Sequence, residues 1–349
     1  MIPRRGRAPR AALAAVAFIL AACTSGSAQI TSTPPDATGS IVPVSTGRPS
    51  IVPSPTLAPA AAYPLTLTDD EGGTVTLAVE PQRIVSLTPG TTEILFAIGA
   101  GPRVVATTDF DDYPPSAVGL PHVASFSAID IEKIVGLGAD LVVAGGNGFN
   151  PPDQLAKLHS LGTPVLVVYA RDVAGVLKDI ELVGRTVGRE AQARDLTASM
   201  RAGFDQISAA AGTLPKPRTF YEIDATGAIY GPADESFLTE MVTLAGGDPI
   251  TTGDPNKFDI SIEKLVSADP QLIILGDAAY GVTPEIVKAR PGWGTMAAVK
   301  TGAIRPVNDI VITRPGPRLV EGLRVLAIAI HPELASILPE ASLAATAAP

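Results

Sequence analysis

Residues 129–145 read IDIEKIVGLGADLVVAG, and residues 260–276 read ISIEKLVSADPQLIILG. Aligned without a gap, the two share Ile, Ile, Glu, Lys, Val, Leu and Gly at matching positions. In each copy a short amphipathic segment opens on a capping residue, Asp130 or Ser261, and runs into an apolar stretch that ends in glycine. That pattern reads as a helix feeding a buried strand. Its recurrence points to a duplicated α/β unit, and the rest of the chain can be read outward from the two copies.

Around the first copy, residues 64–79 alternate apolar and polar side chains about Asp70-Glu71-Gly72-Gly73, a hairpin pattern. RIVSL (83–87) reads as a strand and TEILFAIG (92–99) as a helix ending at Gly99. RVVATT (103–108) is a strand, DQLAKLHSL (153–161) a helix closed by Gly162, and PVLVVY (164–169) a strand. Around the second copy the order restarts. RTFYEI (218–223) is a strand and SFLTEMVTLAGG (236–247) a helix ending in glycine. A helix and strand follow through 293–307, and RLVEGLRVLAIAIH (318–331) is the last helix. Between the halves, residues 172–211 carry no proline and place Val176, Leu177, Ile180, Val183 and Val187 at helical spacing. Gly188 marks a potential break. Strands alternating with helices predict an α/β protein: two Rossmann-like lobes with mainly parallel sheets, 64–171 and 216–338, joined by one long α-helix within 172–215. A ligand between two such lobes is the expectation, and a helical hinge predicts small opening motions.

The amino terminus sets the expected compartment. Arg4, Arg5, Arg7 and Arg10 precede an apolar stretch, Ala11 to Ala22, of signal-peptide length. Leu20-Ala21-Ala22-Cys23 resembles the lipobox of bacterial lipoproteins. Residues 1–22 are therefore expected to be removed and Cys23, the chain's single cysteine, to be lipidated. Residues 23–63 then form a Ser/Thr/Pro/Ala tether with too little apolar surface to offset the entropy of ordering. About 40 such residues span about 35 Å root-mean-square. Residues 339–349 form a tail. The expected setting is extracytoplasmic, periplasm or cell surface, with a lipid anchor in the membrane.

Composition narrows the function. With 46 % hydrophobic residues and 17 % charged, the chain can build real cores. A net charge of −9, more negative still once the four leader arginines are gone, offers no electrostatic footprint for nucleic acid. No Gly-x-Ser-x-Gly elbow, phosphate-binding glycine loop or zinc helix occurs in the sequence, so the reading is a non-enzyme. His122, His159 and His331 are scattered, with surface roles expected for the last two, and no protein-held metal is expected.

The ordered stretches RIVSLTPGTTEILFAIG, DFDDYPPSA (109–117) and IEKIVGLGADLVV resemble the substrate-binding proteins of bacterial ABC importers for cobalamin, haem and ferric siderophores. So do YEIDATGAIYGPADESFLTEMVTLAGG, ISIEKLVSADPQLIILG and RPGPRLVEGL in the second half, and the cobalamin branch is the most similar. The resemblance runs over essentially all of the chain after residue 63. It implies capture of a corrinoid or similar metal chelate, which brings its own metal and needs no protein cofactor. It also implies delivery to a permease dimer with its ATPase subunits, by a monomeric receptor. A ferric-siderophore or haem receptor is the alternative within the class. An extracytoplasmic sensor or scaffold lipoprotein is the alternative outside it.

By the same resemblance, Phe110, Phe126, Tyr230, Phe258, Asp309 and Arg314 are the candidate ligand residues. Aromatic faces and a few polar groups suit a large planar ligand. Each phenylalanine could equally pack in a core, and Arg314 could be solvated or pair with Asp309. A position that carries tryptophan in cobalamin binders falls here on Gly145 or Gly146, so a lining poorer in aromatics is expected. Glu132 and Glu263, each at about the second helical position, favour the helix dipole by ~0.3–1 kcal/mol. The resemblance further implies that this glutamate pair docks onto arginines of the permease.

Overall fold

The computed structural model describes residues 63–125 and 128–338. The expected leader 1–22, Cys23, the tether up to residue 62, Phe126 and the 339–349 tail lie outside the described residues.

The first lobe opens with an antiparallel ribbon, β1 (Leu65–Thr68) and β2 (Thr74–Leu77), with Thr68 opposite Thr74 as the hairpin pattern predicts. There follow β3 (Ile84–Ser86), α1 (Pro89–Ala97), β4 (Val104–Thr108), β5 (His122–Ala124), α2 (Ile131–Gly136), β6 (Leu141–Gly145), α3 (Pro152–Ser160) and β7 (Val165–Val168). β3 to β7 form a parallel sheet in the order β5-β4-β3-β6-β7. Every residue of β6 and β7 is buried, as expected of continuous apolar runs covered on both faces.

After two helices, α4 (Val173–Thr186) and α5 (Glu190–Ala211), the second lobe begins. It comprises β8 (Arg218–Glu222), β9 (Ile229–Tyr230), α6 (Phe237–Leu244), β10 (Asp248–Pro249), β11 (Asp259–Ile260), α7 (Ile262–Ala268), β12 (Leu272–Leu275), α8 (Pro284–Ala289), α9 (Ala297–Thr301), β13 (Ile304–Pro306), α10 (Asp309–Thr313) and α11 (Leu319–Ile330). Its sheet is also parallel, in the order β10-β8-β12-β13. That order matches β4-β3-β6-β7 strand for strand, so the duplication read from the sequence is a duplication of topology. The repeated segments are α2–β6 and α7–β12.

The side chains of the two repeat helices have different partners. Ile134 and Leu265 are fully buried beneath their helices. Lys133 donates through Nζ to the carbonyl of His122 at 2.7 Å, and Lys264 donates in the same way to the carbonyl of Thr252. Each lysine thus pins its helix to the preceding segment. Asp130 Oδ1 and Ser261 Oγ accept from the Lys133 and Lys264 amides at 2.9 and 3.2 Å, capping the helices as expected. Glu132 and Glu263 are exposed and take part in no ion pair among the described residues.

The single long helix expected over 172–215 is corrected to two. Gly188 takes φ +65° and ends the first, a conformation that costs glycine little. The chain then folds back: Thr197 Oγ1 donates to Glu181 Oε1 at 2.8 Å, and Gly184 lies against Ala193 so closely that a Cβ would meet that residue's at 2.3 Å. α5 is the bridge. It starts at Arg189, whose Nε donates to the Gly99 carbonyl of the first lobe, and ends at Ala211 against Gly246 of the second. Its 22 residues span about 33 Å.

One apolar core runs from α1 and the first sheet through α4 and α5 into α6 and α11, so the lobes share it. The outer face of each sheet has its own cluster. Trp293 is buried in the second-lobe cluster, with the Arg290 guanidinium 4.6 Å from its ring. His331 is not the surface residue expected: it is buried, with Nε2 at 3.2 Å from the Gly246 carbonyl oxygen.

Candidate ligand cavity

In both sheets the chain leaves the carboxyl ends of parallel strands toward a common space. That space is a cavity of about 680 Å³. From the first lobe, Thr88–Thr91 follow β3, Phe110 and Asp112 follow β4, Gly145 ends β6 with Gly146 and Phe149 after it, and Tyr169 follows β7. From the second, Tyr280 follows β12, and Asp309, Thr313 and Arg314 follow β13. Phe237 enters from the first turn of α6, and Val176 and Asp179 from α4. Loops beyond the carboxyl ends of parallel strands are where α/β sheets bind ligands.

The lobes meet beside the cavity at a buried ionic latch. Glu93 on α1 is 2 % exposed. Its Oε1 accepts from Arg314 Nη1 at 2.9 Å and Arg318 Nη2 at 2.6 Å, and its Oε2 accepts from Arg318 Nε at 2.9 Å. Arg314 also donates to Asp112 Oδ1 at 2.6 Å, and the Arg318 guanidinium lies 4.2 Å from the Tyr113 ring centroid. Two first-lobe carboxylates thus close on two second-lobe guanidiniums, a charge-balanced group in which each buried charge is paired. Next to it a Cβ on Gly90 would lie 2.6 Å from the Pro315 carbonyl oxygen, so only glycine permits that backbone approach.

The second-lobe wall holds a network of its own. Asp309 Oδ1 accepts from the Tyr221 hydroxyl at 2.6 Å and Oδ2 from Thr313 Oγ1 at 3.1 Å. Burial first, and then the Asp309 carboxylate, push the Tyr221 phenol well above its usual range. Behind it, buried Glu222 takes a bidentate pair from Arg290 at 2.6 and 2.8 Å. Burial, and then the Glu222 charge, raise the acid of neighbouring Asp277. On the α4 wall, burial and then the neighbouring Asp70 push Asp179 up to about 9. Asp70 is shifted down: burial acts against this, but hydrogen bonds from Asp179, Lys178 and the Tyr169 amide outweigh it. Asp179 therefore faces the cavity as a neutral acid at pH 7.

Of the ligand residues read from the sequence, Phe110, Asp309 and Arg314 line this cavity. Arg314 is engaged by Glu93 and Asp112 rather than solvated or paired with Asp309. Tyr230 and Phe258 are not among the lining residues. They lie on the antiparallel β9–β11 ribbon, 39 % and 48 % exposed, where the Gly231 amide donates to the Phe258 carbonyl at 2.8 Å. The short ribbon diverts the chain after β8, which the apolar pattern did not reveal. The glycines at the expected tryptophan position do not leave the lining without aromatics. Phe149 packs beside Gly145 and Tyr169 beside Gly146, so small residues at the strand end leave room for aromatics from neighbouring loops. Phe237 and Tyr280 add two more from the second lobe. Tyr169 and Tyr280 each follow the end of an apolar strand, and the carboxyl-end rule would have flagged both. Among the described residues no group of three or more His, Cys, Asp or Glu side chains is placed to hold a metal ion.

Two parallel α/β lobes, one bridging helix and an open cavity beyond the strand ends are the architecture of a two-lobed solute-binding protein. Residues 84–309 match the family model described as periplasmic binding protein, and the chain belongs to that family. It is similar to YvrC of Bacillus subtilis, an ABC transporter substrate-binding lipoprotein, with 32 % identity over 78 % of this chain and 87 % of that one. A cobalamin-binding protein of Halobacterium salinarum is 30 % identical over 78 % of this chain and 75 % of its own. Among solved structures, the periplasmic vitamin B12 binding protein BtuF of Vibrio cholerae superposes with a TM-score of 0.63 at 26 % identity, covering 74 % of this chain and 99 % of that one. The chain is therefore the substrate-binding protein of an ABC transporter.

Proposed function

We propose that this protein is a monomeric, lipid-anchored extracytoplasmic receptor that captures a corrinoid-type metal chelate between its lobes and delivers it to a permease dimer with its ATPase subunits. The interlobe cavity of about 680 Å³, with aromatic faces from both lobes, carries the reading. Phe110, Phe149 and Tyr169 come from one side, Phe237 and Tyr280 from the other, which suits a broad apolar ligand. The relatives named for cobalamin and vitamin B12 support the corrinoid, and the lipoprotein YvrC supports an anchor at Cys23. The ligand brings its own metal and the protein supplies a preorganised cleft, in which rigid walls limit the entropy lost on binding. Glu132 and Glu263, exposed and without an ion pair among the described residues at topologically equivalent points, are the docking charges for the permease.

Calorimetric titration with cobalamin, cobinamide, haemin and a ferric hydroxamate tests the reading. Saturable binding of the corrinoids is the expected result. Binding of none of the four would sink it.

A further inference from the structure

The ionisable groups on the cavity wall do not balance. Arg314 is the sole lysine or arginine among the described lining residues, and its charge is spent on Glu93 and Asp112. Arg318 holds the other side of Glu93, so the charges of both latch guanidiniums are balanced by first-lobe carboxylates. Burial, and then the neighbouring Asp70, keep Asp179 neutral at pH 7. Asp309 remains. Its two oxygens accept only from the uncharged Tyr221 and Thr313 hydroxyls, and it forms no ion pair with a cation among the described residues. Nearby, Glu222 is balanced by Arg290, and burial and then the Glu222 charge raise Asp277 to about 7, so this group adds little net charge. The second-lobe wall therefore presents acceptor oxygens and, at Asp309, a carboxylate with no cationic partner among the described residues.

Resting on the receptor reading above, we propose that the cavity takes neutral or cationic chelates bearing hydrogen-bond donors and rejects carboxylate-bearing ones, with Asp309 as the residue that sets this preference. A ligand carboxylate would meet like charge at Asp309, with no unpaired lysine or arginine among the described lining residues to offset its desolvation. A peripheral amide N–H, or net positive charge on the chelate, gains an acceptor that is already oriented by Tyr221 and Thr313.

Three measurements on the full-length mature protein test this. Cobinamide in its aquacyano form carries one positive charge, and its dicyano form is neutral on the same skeleton. The cation is expected to bind more tightly, and the difference is expected to shrink as salt is raised. Haemin, with two propionates, is expected to bind at least ~10-fold more weakly than either, as a like-charge contact of 1.4 kcal/mol requires. In Asp309→Asn the affinity ratio of the two cobinamide forms is expected to collapse toward one, with the melting transition confirming a folded variant. Haemin binding as tightly as cobinamide, or an unchanged ratio in the folded variant, overturns the charge preference and leaves the receptor reading standing. Binding of no corrinoid at all overturns both.

Discussion

Two buried acids show how much a single side chain depends on its neighbours here. In the unfolded chain Asp179 titrates near 3.8, and in the fold burial and Asp70 raise it to about 9. Between those values the folded state holds a proton that the unfolded state has released. The group therefore costs nothing below about pH 4, and its cost grows as pH rises toward 9. Asp179→Asn keeps a donor toward Asp70 and removes the titration. Urea unfolding should show the variant more stable than wild type at pH 7 to 8, with the gain vanishing near pH 4; a gain independent of pH would contradict the assignment. Glu93 is the opposite case, an ionised group whose partners make its burial tolerable. Glu93→Ala leaves Arg314 and Arg318 without their shared partner beside the cavity. A loss of ~3–5 kcal/mol in equilibrium unfolding is expected. Neither partner set is visible from local sequence, because Glu93 and its arginines are more than 200 residues apart.

At the scale of elements, glycine placement decides where helices end and how close they come. Gly188 was readable as a potential break, but the folding back of α5 on α4 was not, since it depends on Gly184 meeting Ala193. The same substitution at two helical glycines separates propensity from packing. Gly184→Ala should destabilise by ~1–3 kcal/mol, because its new methyl group meets Ala193. Gly136→Ala, at the end of α2 with nothing within 4 Å of a Cβ, should stabilise by ~0.4–1 kcal/mol. Thermal unfolding of the pair checks both signs. The strands and long helices were legible because their apolar runs are continuous. The two-residue strands β9, β10 and β11 were not, because so short a segment has no period to read. Tyr230 and Phe258, candidates by the resemblance alone, stand exposed at the β9–β11 ribbon and outside the cavity lining.

For the whole molecule, the shared core and the Glu93 latch bear on motion and on partners. Lobes that share an apolar core and an ionic bridge have little freedom to hinge. Small-angle scattering is expected to show nearly the same radius of gyration with and without a corrinoid; a large contraction on binding would count against this. The docking charges predict a separable phenotype. Glu132→Arg combined with Glu263→Arg should abolish corrinoid uptake in cells while the purified variant keeps its affinity, since both residues are exposed and outside the cavity. Loss of affinity in the purified double variant would remove the docking role.

By itself the sequence determined the duplicated α/β architecture, the family it resembles and the equivalence of the two Ile-Glu-Lys helices. Those rest on periodicity, caps and order along the chain, which are local. Tertiary structure alone decided that the lysines of the repeat are internal tethers while the glutamates are left exposed. It also decided that Arg314 belongs to a latch between lobes, that Phe149, Tyr169, Phe237 and Tyr280 line the cavity, and that Asp309 is its unbalanced charge. Each of these is a meeting of segments distant in the chain. The free energy that selects such partners comes from burial and charge compensation, and neither exists until the lobes have closed on one another.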